Sequence, residues 1–252
     1  MSSVAALAIF AASVAAGAIN AVVGSGSLIT FPTLLALGYP PVVANVSNNI
    51  GMVGGNFSAV FGYSEELHGQ RPRLLRLCAA SLAGSLAGAI ALLALPAGVF
   101  NLVVPALIIA GCVLVLIQPS LSAWVAGRGG ERSDSGGLVL VAGVFLTGVY
   151  GGYFGAAQGV ILIGLLGVFW TDGLQRVNAA KNVLVTVVNG TAALVFAVFA
   201  HVAWSIVPVI VVGAAVGGLI GAKVGRRLPP LALRVVVVLI GIISAIKLIF
   251  FS

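Results

Sequence analysis

Apolar runs alternate with short polar or glycine-rich breaks along the whole of this 252-residue chain. In the first half the runs fall at about 3–23, 27–37, 41–63, 73–94 and 98–117. In the second half they fall at about 138–154, 158–170, 178–200, 204–222 and 231–250. A hydrocarbon core of about 30 Å takes roughly 20 helical residues to cross, and a helix satisfies its own backbone groups in lipid. The pattern predicts an all-α integral membrane protein. Segments 27–37 and 158–170 are short; at about 1.5 Å per residue each either crosses barely or re-enters. The expectation is about eight full-length helices plus two short or re-entrant ones.

The pattern occurs twice. Residues 17–32 read GAINAVVGSGSLITFP, and residues 148–162 read GVYGGYFGAAQGVIL. Asn45-Val46-Ser47-Asn48-Asn49 returns as Asn178-Ala179-Ala180-Lys181-Asn182, and Asn56 returns as Asn189. Gly84, Gly88 and Pro96 return as Gly217, Gly221 and Pro229. From Asn45 onward the offset is 178 less 45, or 133; across the glycine segments it is 148 less 17, or 131. The second copy therefore holds two extra residues near Trp170 to Gly173. The division predicted is a first repeat at 1–126, a polar linker at 127–137 and a second repeat at 138–252, with about five membrane segments in each repeat. Duplicated hydrophobic segments, broken by Gly and Pro at matching places, point to a secondary transporter and its substrate site.

Charge sets the orientation. Apart from Lys247, the basic residues fall at Arg71 to Arg76, at Arg128 and Arg132, at Arg176 and Lys181, and at Lys223 to Arg234. The positive-inside rule puts these four regions in the cytoplasm. Adjacent basic regions are separated by two segments, so the assignment is self-consistent and both termini are expected outside. The loop at Arg71 is then cytoplasmic and its counterpart at His201 external, which makes the repeats inverted.

Composition narrows the class further. The chain is 61% hydrophobic and 7% charged, against roughly 25% charged in soluble domains, so no soluble domain is expected. The net charge of +7 reads as topology signal beside membrane segments, not as a nucleic-acid surface. The 34 glycines suit close helix packing and broken helices. Cys78 and Cys112 lie in apolar helices and read as packing residues. The first apolar stretch lacks a basic leader and recurs internally, so it reads as a retained helix.

Two clusters carry candidate chemistry. Gly24-Ser25-Gly26-Ser27 breaks one segment and opens another, as does Gly155-Ala156-Ala157-Gln158-Gly159. Glycine lets the backbone turn, and the helix that follows presents unsatisfied N–H groups that favour anions. The alternative is a tight turn needing glycine for sterics alone. The second cluster is amide-rich. Asn45, Asn49 and Asn56 share a helix face at spacings of four and seven, as do Asn178, Asn182 and Asn189. Polar stripes in lipid face the bundle interior, either to bind a substrate or to join helices by hydrogen bonds. Lys181 is the basic residue within this stripe; it either attracts a substrate anion or snorkels to the cytoplasmic interface. Asp172 and Arg176 read as interfacial anchors or a local ion pair. His68 and His201 have no carboxylate or Cys at ligand spacing, so no metal site is expected. The Gly84/Gly88 and Gly217/Gly221 pairs fit small-residue helix packing.

Other chemistries find no support. The chain has no GxxxxGK[ST] phosphate loop and no HExxH motif. Ser25 and Ser27 have no histidine at a spacing that suggests a hydrolase. No enzyme, no catalytic residue and no cofactor is expected.

The glycine segment ending in GSGSLITFP, the Asn-Val-Ser-Asn-Asn that follows, and their repetition resemble the TauE/SafE family, also called the sulfite exporter or TSUP family. The resemblance covers essentially the whole chain. Ser27, and Ala156-Ala157-Gln158, stand where the family pattern commonly has glycine. The resemblance implies a transporter of the bacterial cytoplasmic (inner) membrane, moving small sulfur-containing anions such as sulfite, thiosulfate, sulfoacetate and related organosulfonates, usually by export. The substrate-binding set expected is Gly24, Ser25, Gly26, Ser27, Asn49, Asn56, Gly155, Ala157, Gln158, Lys181, Asn182 and Asn189. The anion would sit near the midplane between the repeats, held also by backbone N–H groups at 25–28 and 157–159. The partners expected are a small anionic substrate and membrane lipid, with a homodimer left open and no nucleic acid. A passive anion channel and a non-transporting subunit of a larger complex are the alternatives.

Overall fold

The computed structural model describes residues 2–127 and 137–224, together with residues 235, 238, 239, 242 and 243. All regular elements among them are helical. They are α1 (Ser3–Val22), α2 (Ser27–Ala36), α3 (Pro41–Gly62), α4 (Arg71–Ala94), α5 (Ala97–Gly127), α6 (Gly137–Tyr153), α7 (Gln158–Phe169), α8 (Leu174–Phe199) and α9 (Val207–Val224). A 3₁₀ turn at Glu65–Leu67 precedes α4.

Most boundaries fall within a few residues of the apolar pattern. The main departure is α5, which continues ten residues past the expected end at 117, through Pro119, to Gly127. Pro removes one backbone bond, and helices in a membrane tolerate that where neighbours support them. Most of the expected segment at 231–250 and most of the linker lie outside the described residues. Helices α1, α4, α5 and α8 are long and apolar enough by themselves to cross a bilayer. Helix α3 has the length, with 22 residues, but its asparagines dilute its apolar character. Helices α6 and α9 have 17 and 18 residues, close to the runs expected at 138–154 and 204–222. Helices α2 and α7 have only 10 and 12 residues, about 15–18 Å of helix.

Glycines decide which helices meet. A Cβ on Gly17 would lie 2.9 Å from the Ala214 carbonyl carbon, and Cβ atoms on Gly217 and Gly221 would overlap the Val14 and Ala18 carbonyl oxygens. This seats α1 on α9. In the same way a Cβ on Gly148 would lie 2.9 Å from the Ser81 oxygen, and Cβ atoms on Gly84 and Gly88 would overlap the Phe145 and Val149 oxygens. This seats α4 on α6. In both pairs the residue numbers rise together, so each pair runs parallel. Backbones this close exchange dispersion contacts that lipid cannot supply to either helix alone. Helix α3 also packs on α9 and α8 on α4, so the two amide-bearing helices lie beside these glycine seams.

The packed interior has an aromatic knot where the short segments meet. Phe31 of α2 lies edge-on to Phe154, just beyond α6, at 5.2 Å, and Phe100 of α5 packs against Phe154 at 6.3 Å. Leu7, Leu86, Leu102, Leu194 and Val212 point outward and are exposed. Scattered over several helices, these side chains form the lipid-facing surface of a multi-pass membrane protein.

Candidate functional site

Both glycine segments are sharp breaks between helices. Gly24 (φ 86°) ends α1 and Gly155 (φ 72°) ends α6, both in the left-handed region that favours glycine. The two breaks differ in their neighbours. Gly24 and Gly159 meet Cα to Cα, leaving no room for a Cβ on either, and the Gly159 N–H donates to the Gly24 carbonyl (3.2 Å). Gly155 lies instead against the Gly151 backbone. Gly26 has its own steric reason, since its Cβ would overlap the Ala16 carbonyl.

Several backbone donors expected to serve an anion are engaged internally. Leu28 and Gln158 donate to the carbonyls three residues before them, Ser25 and Gly155. The Gly26 N–H donates to Asn20 Oδ1 (3.4 Å), and the Ala157 N–H donates to the Tyr150 hydroxyl (3.3 Å). Residues 26 and 157 are equivalent under the 131-residue offset, so each break is braced at the same place by a different side chain. The Ser25 and Ser27 N–H groups make no such bond among the described residues.

The amide stripe is buried throughout. Asn45, Asn48, Asn49 and Asn56 on α3, and Asn178, Asn182 and Asn189 on α8, are all less than 9% exposed. Helix α8 applies three of its side chains to the open C-terminal end of α1. Asn178 and Asn182 donate to the Ala21 carbonyl (3.1 and 3.3 Å), and Lys181 Nζ donates to the carbonyls of Asn20 (2.9 Å) and Ala21 (3.3 Å). The last carbonyls of a helix lack intrahelical partners and carry partial negative charge, so amides and an ammonium suit them. Asn45 of α3 does the same for α6 by donating to the Tyr153 carbonyl (3.0 Å).

Lys181 requires a correction. It does not snorkel: the residue is 0% exposed. The nearness of polar residues in sequence suggested an interface, whereas the broken end of α1 brings two carbonyls to the ammonium inside the bundle. No carboxylate pairs with Lys181 among the described residues. Its third N–H has no partner among them.

The remaining expected residues divide by neighbour. Asn20 Nδ2 donates to Asn56 Oδ1 (2.7 Å), and Gln158 Nε2 donates to Asn189 Oδ1 (2.9 Å). Asn56 and Asn189 are thus equivalent residues bonded across helices, one to α1 and the other to α7. Ser27 Oγ accepts from Asn48 Nδ2 (3.1 Å), while Asn48 Oδ1 accepts from Thr30. Asn49 Oδ1, Ser25 Oγ, Asn56 Nδ2, Asn178 Oδ1 and Gln158 Oε1 are buried with no partner among the described residues. The continuous network runs from Asn56 through Asn20 to Lys181, Asn178 and Asn182. Asn49 and the Gln158–Asn189 pair are not bonded to it. The sequence reading missed Asn20, Thr30 and Tyr150. Asn20 carried a signal, being an amide within an apolar run one turn before the glycine break.

Asp172, in the α7–α8 connection, binds Arg176 (2.8 Å) as expected, and also Arg73 of α4 (2.9 Å). The Arg73 guanidinium stacks 4.4 Å over the Trp170 ring. Burial alone raises the carboxyl's pKa, but hydrogen bonds from Arg176 and Arg73 outweigh it and hold Asp172 below its ordinary value. His68 Nδ1 lies 2.9 Å from the Glu65 carbonyl. Cys78 and Cys112 are free thiols.

Comparison with known proteins places this geometry. A family model described as Sulfite exporter TauE/SafE matches residues 9–248. Similar proteins include the probable membrane transporter protein YfcA of Escherichia coli, 26% identical over 97% of this chain and 89% of that protein. The probable membrane transporter protein ORF9 of a Sinorhizobium species is 25% identical over 95% of this chain and 90% of its own. A probable membrane transporter protein of Haemophilus influenzae is 25% identical over 96% of this chain and 93% of its own. No solved structure matches the chain.

Proposed function

The chain belongs to the TauE/SafE family of membrane transporters, and we propose that it is a secondary carrier exporting a small sulfur-containing anion across the bacterial cytoplasmic membrane by alternating access. The observation that carries the anion is Lys181, a fully buried ammonium with no carboxylate partner among the described residues. A buried lysine must either gain a counter-charge or give up its proton. An oxyanion such as sulfite, thiosulfate or the sulfonate end of sulfoacetate would supply the counter-charge and accept the spare Lys181 N–H.

The shell proposed around the anion is Ser25, Ser27, Asn49, Asn56, Gln158, Lys181 and Asn182, with the Ser25 and Ser27 N–H groups. The Ser25 hydroxyl and the Asn56 amide are buried donors without partners among the described residues, which an oxyanion would satisfy. Gly24, Gly26, Gly155 and Ala157 shape the two breaks, and Asn56 and Asn189 hold them to α3 and α8. In this structure Ser25, Asn49, Gln158, Lys181 and Asn182 are buried and Ser27 is partly exposed.

The repeats are proposed to be inverted and to rock against one another around this site. Support comes from the helix seams. The contact of Gly17 with Ala214 recurs, under the sequence offsets, as Gly148 with Ser81; Gly217 with Val14 recurs as Gly84 with Phe145. Each repeat would thus lend its first helix to the other. The parallel run of both pairs agrees with the orientation argued from loop charge, with both termini outside.

The test is a thermal-shift screen of detergent-purified protein against sulfite, thiosulfate, sulfate, sulfoacetate, taurine and chloride. A ligand that binds the folded state raises its apparent stability by mass action. A shift with a sulfur oxyanion that is lost in the Asn49→Ala/Asn182→Ala variant supports the site. No shift with any of these at millimolar concentration overturns it.

A further inference from the structure

We propose that the groove between the first turns of α4 and α6 is a binding site for an anionic membrane lipid, separate from the amide cluster. The groove is half-open, with a volume of about 530 Å³, and its walls include Arg73, Arg76, Leu77, Leu140, Val141 and Trp170. Its chemistry is two-sided. Leu77 and Leu140 are buried at its base, and the neighbouring Leu75, Leu138 and Val139 are exposed toward lipid. The other wall is cationic.

Charge selects the occupant. Arg73 is shared between Asp172 (2.9 Å) and the Trp170 ring (4.4 Å), and Asp172 is shared in turn with Arg176 (2.8 Å). One carboxylate thus serves two guanidinium groups, Arg73 and Arg176. Arg76 is exposed and makes no ion pair or hydrogen bond among the described residues. A guanidinium binds a phosphate in bidentate fashion, and basic pockets between membrane helices on the cytoplasmic side bind lipid head groups. A free phosphate would use Arg76 but leave the apolar wall unused. A phospholipid uses both, with its phosphate on Arg76 and its first acyl carbons on Leu140 and Val141.

The test is native mass spectrometry of the full chain in detergent, with dioctanoyl phosphatidylglycerol, dioctanoyl phosphatidylcholine or inorganic phosphate added. Wild type should hold phosphatidylglycerol in preference to phosphatidylcholine. Arg76→Gln should lower that occupancy at least fivefold. Arg71→Gln removes the same charge from an exposed position outside the groove wall and should leave occupancy unchanged. Val141→Trp, which fills the groove while keeping Arg76, should also abolish it. The proposal fails if Arg71→Gln and Arg76→Gln behave alike, if phosphatidylcholine binds equally, or if millimolar inorganic phosphate displaces the lipid completely. The last result would identify a free-anion site. None of these readouts depends on transport or on Lys181, so the lipid site and the carrier reading fail separately.

Discussion

Adding one methyl group at Gly88 should separate α4 from α6. The new Cβ would lie 2.8 Å from the Tyr153 nitrogen and 2.9 Å from the Val149 carbonyl carbon, and would overlap the Val149 oxygen. Relaxed contacts of this kind begin near 3.4 Å, so the helices must part by several tenths of an ångström or more. The obstacle is backbone, so no side-chain rotation relieves it. Overpacking of this sort costs about 1–3 kcal/mol. For a chain of this size each kcal/mol moves the midpoint by roughly 2–4 °C, giving a fall of about 2–12 °C for Gly88→Ala. Its repeat partner Gly221 meets Ala18 in the same way, with its Cβ 2.8 Å from the Ala18 Cα, and Gly221→Ala should fall by a similar amount. Gly190→Ala is the control. Nothing lies within 4 Å of a Cβ there, and Gly→Ala inside a helix should stabilise by about 0.4–1 kcal/mol. The assay is thermal unfolding in one detergent with all three variants side by side. A Gly88→Ala midpoint at or above wild type would refute the seam as the closest approach of the two helices.

Other outcomes follow from the site. The Asn49→Ala/Asn182→Ala variant should insert normally yet lose most anion flux in proteoliposomes; unchanged flux would remove these amides from the mechanism. Gly24→Ala should misfold more severely than Gly26→Ala, because it adds the strain of a left-handed φ to the clash with Gly159; comparing the yields of folded, monodisperse protein checks this. Asp172→Asn should destabilise at neutral pH. Because the folded Asp172 lies below the usual carboxylate value of 3.8, its contribution is present above that pH and is lost as pH falls through the lower folded value. The gap in unfolding temperature between wild type and Asp172→Asn should therefore close on acidification below about 4; a gap independent of pH would contradict the ion-pair assignment.

Much of the architecture was readable because lipid leaves few choices. A run of apolar residues must become helix, and Gly24 and Gly155 mark breaks that no β-branched or bulky residue would occupy at positive φ. The glycine pairs at Gly84 and Gly217 announced close packing but not their partners, since nothing local to α4 says that α6 will lie against it. The amide stripe was legible as buried, by the cost of an amide in hydrocarbon. Its bonds were not, because they depend on where the end of α1 lies. That is why Lys181 read as an interfacial residue, and why Asn20, which joins Asn56 to the lysine network, escaped notice. The apolar run ends at Gln118, but α5 continues through Pro119 to Gly127, because helices in lipid pass through proline where neighbours support them.

Isothermal titration of a sulfur oxyanion into wild type and Lys181→Met tests the buried ammonium directly. Lys181→Met preserves the side chain's length and removes its charge, and a size-exclusion profile matching wild type would show that the fold is retained. The expected result is saturable binding to wild type, at least tenfold weaker in Lys181→Met and partly restored in Lys181→Arg. Equal affinity in wild type and a folded Lys181→Met would contradict the assignment of Lys181 as the anion's counter-charge.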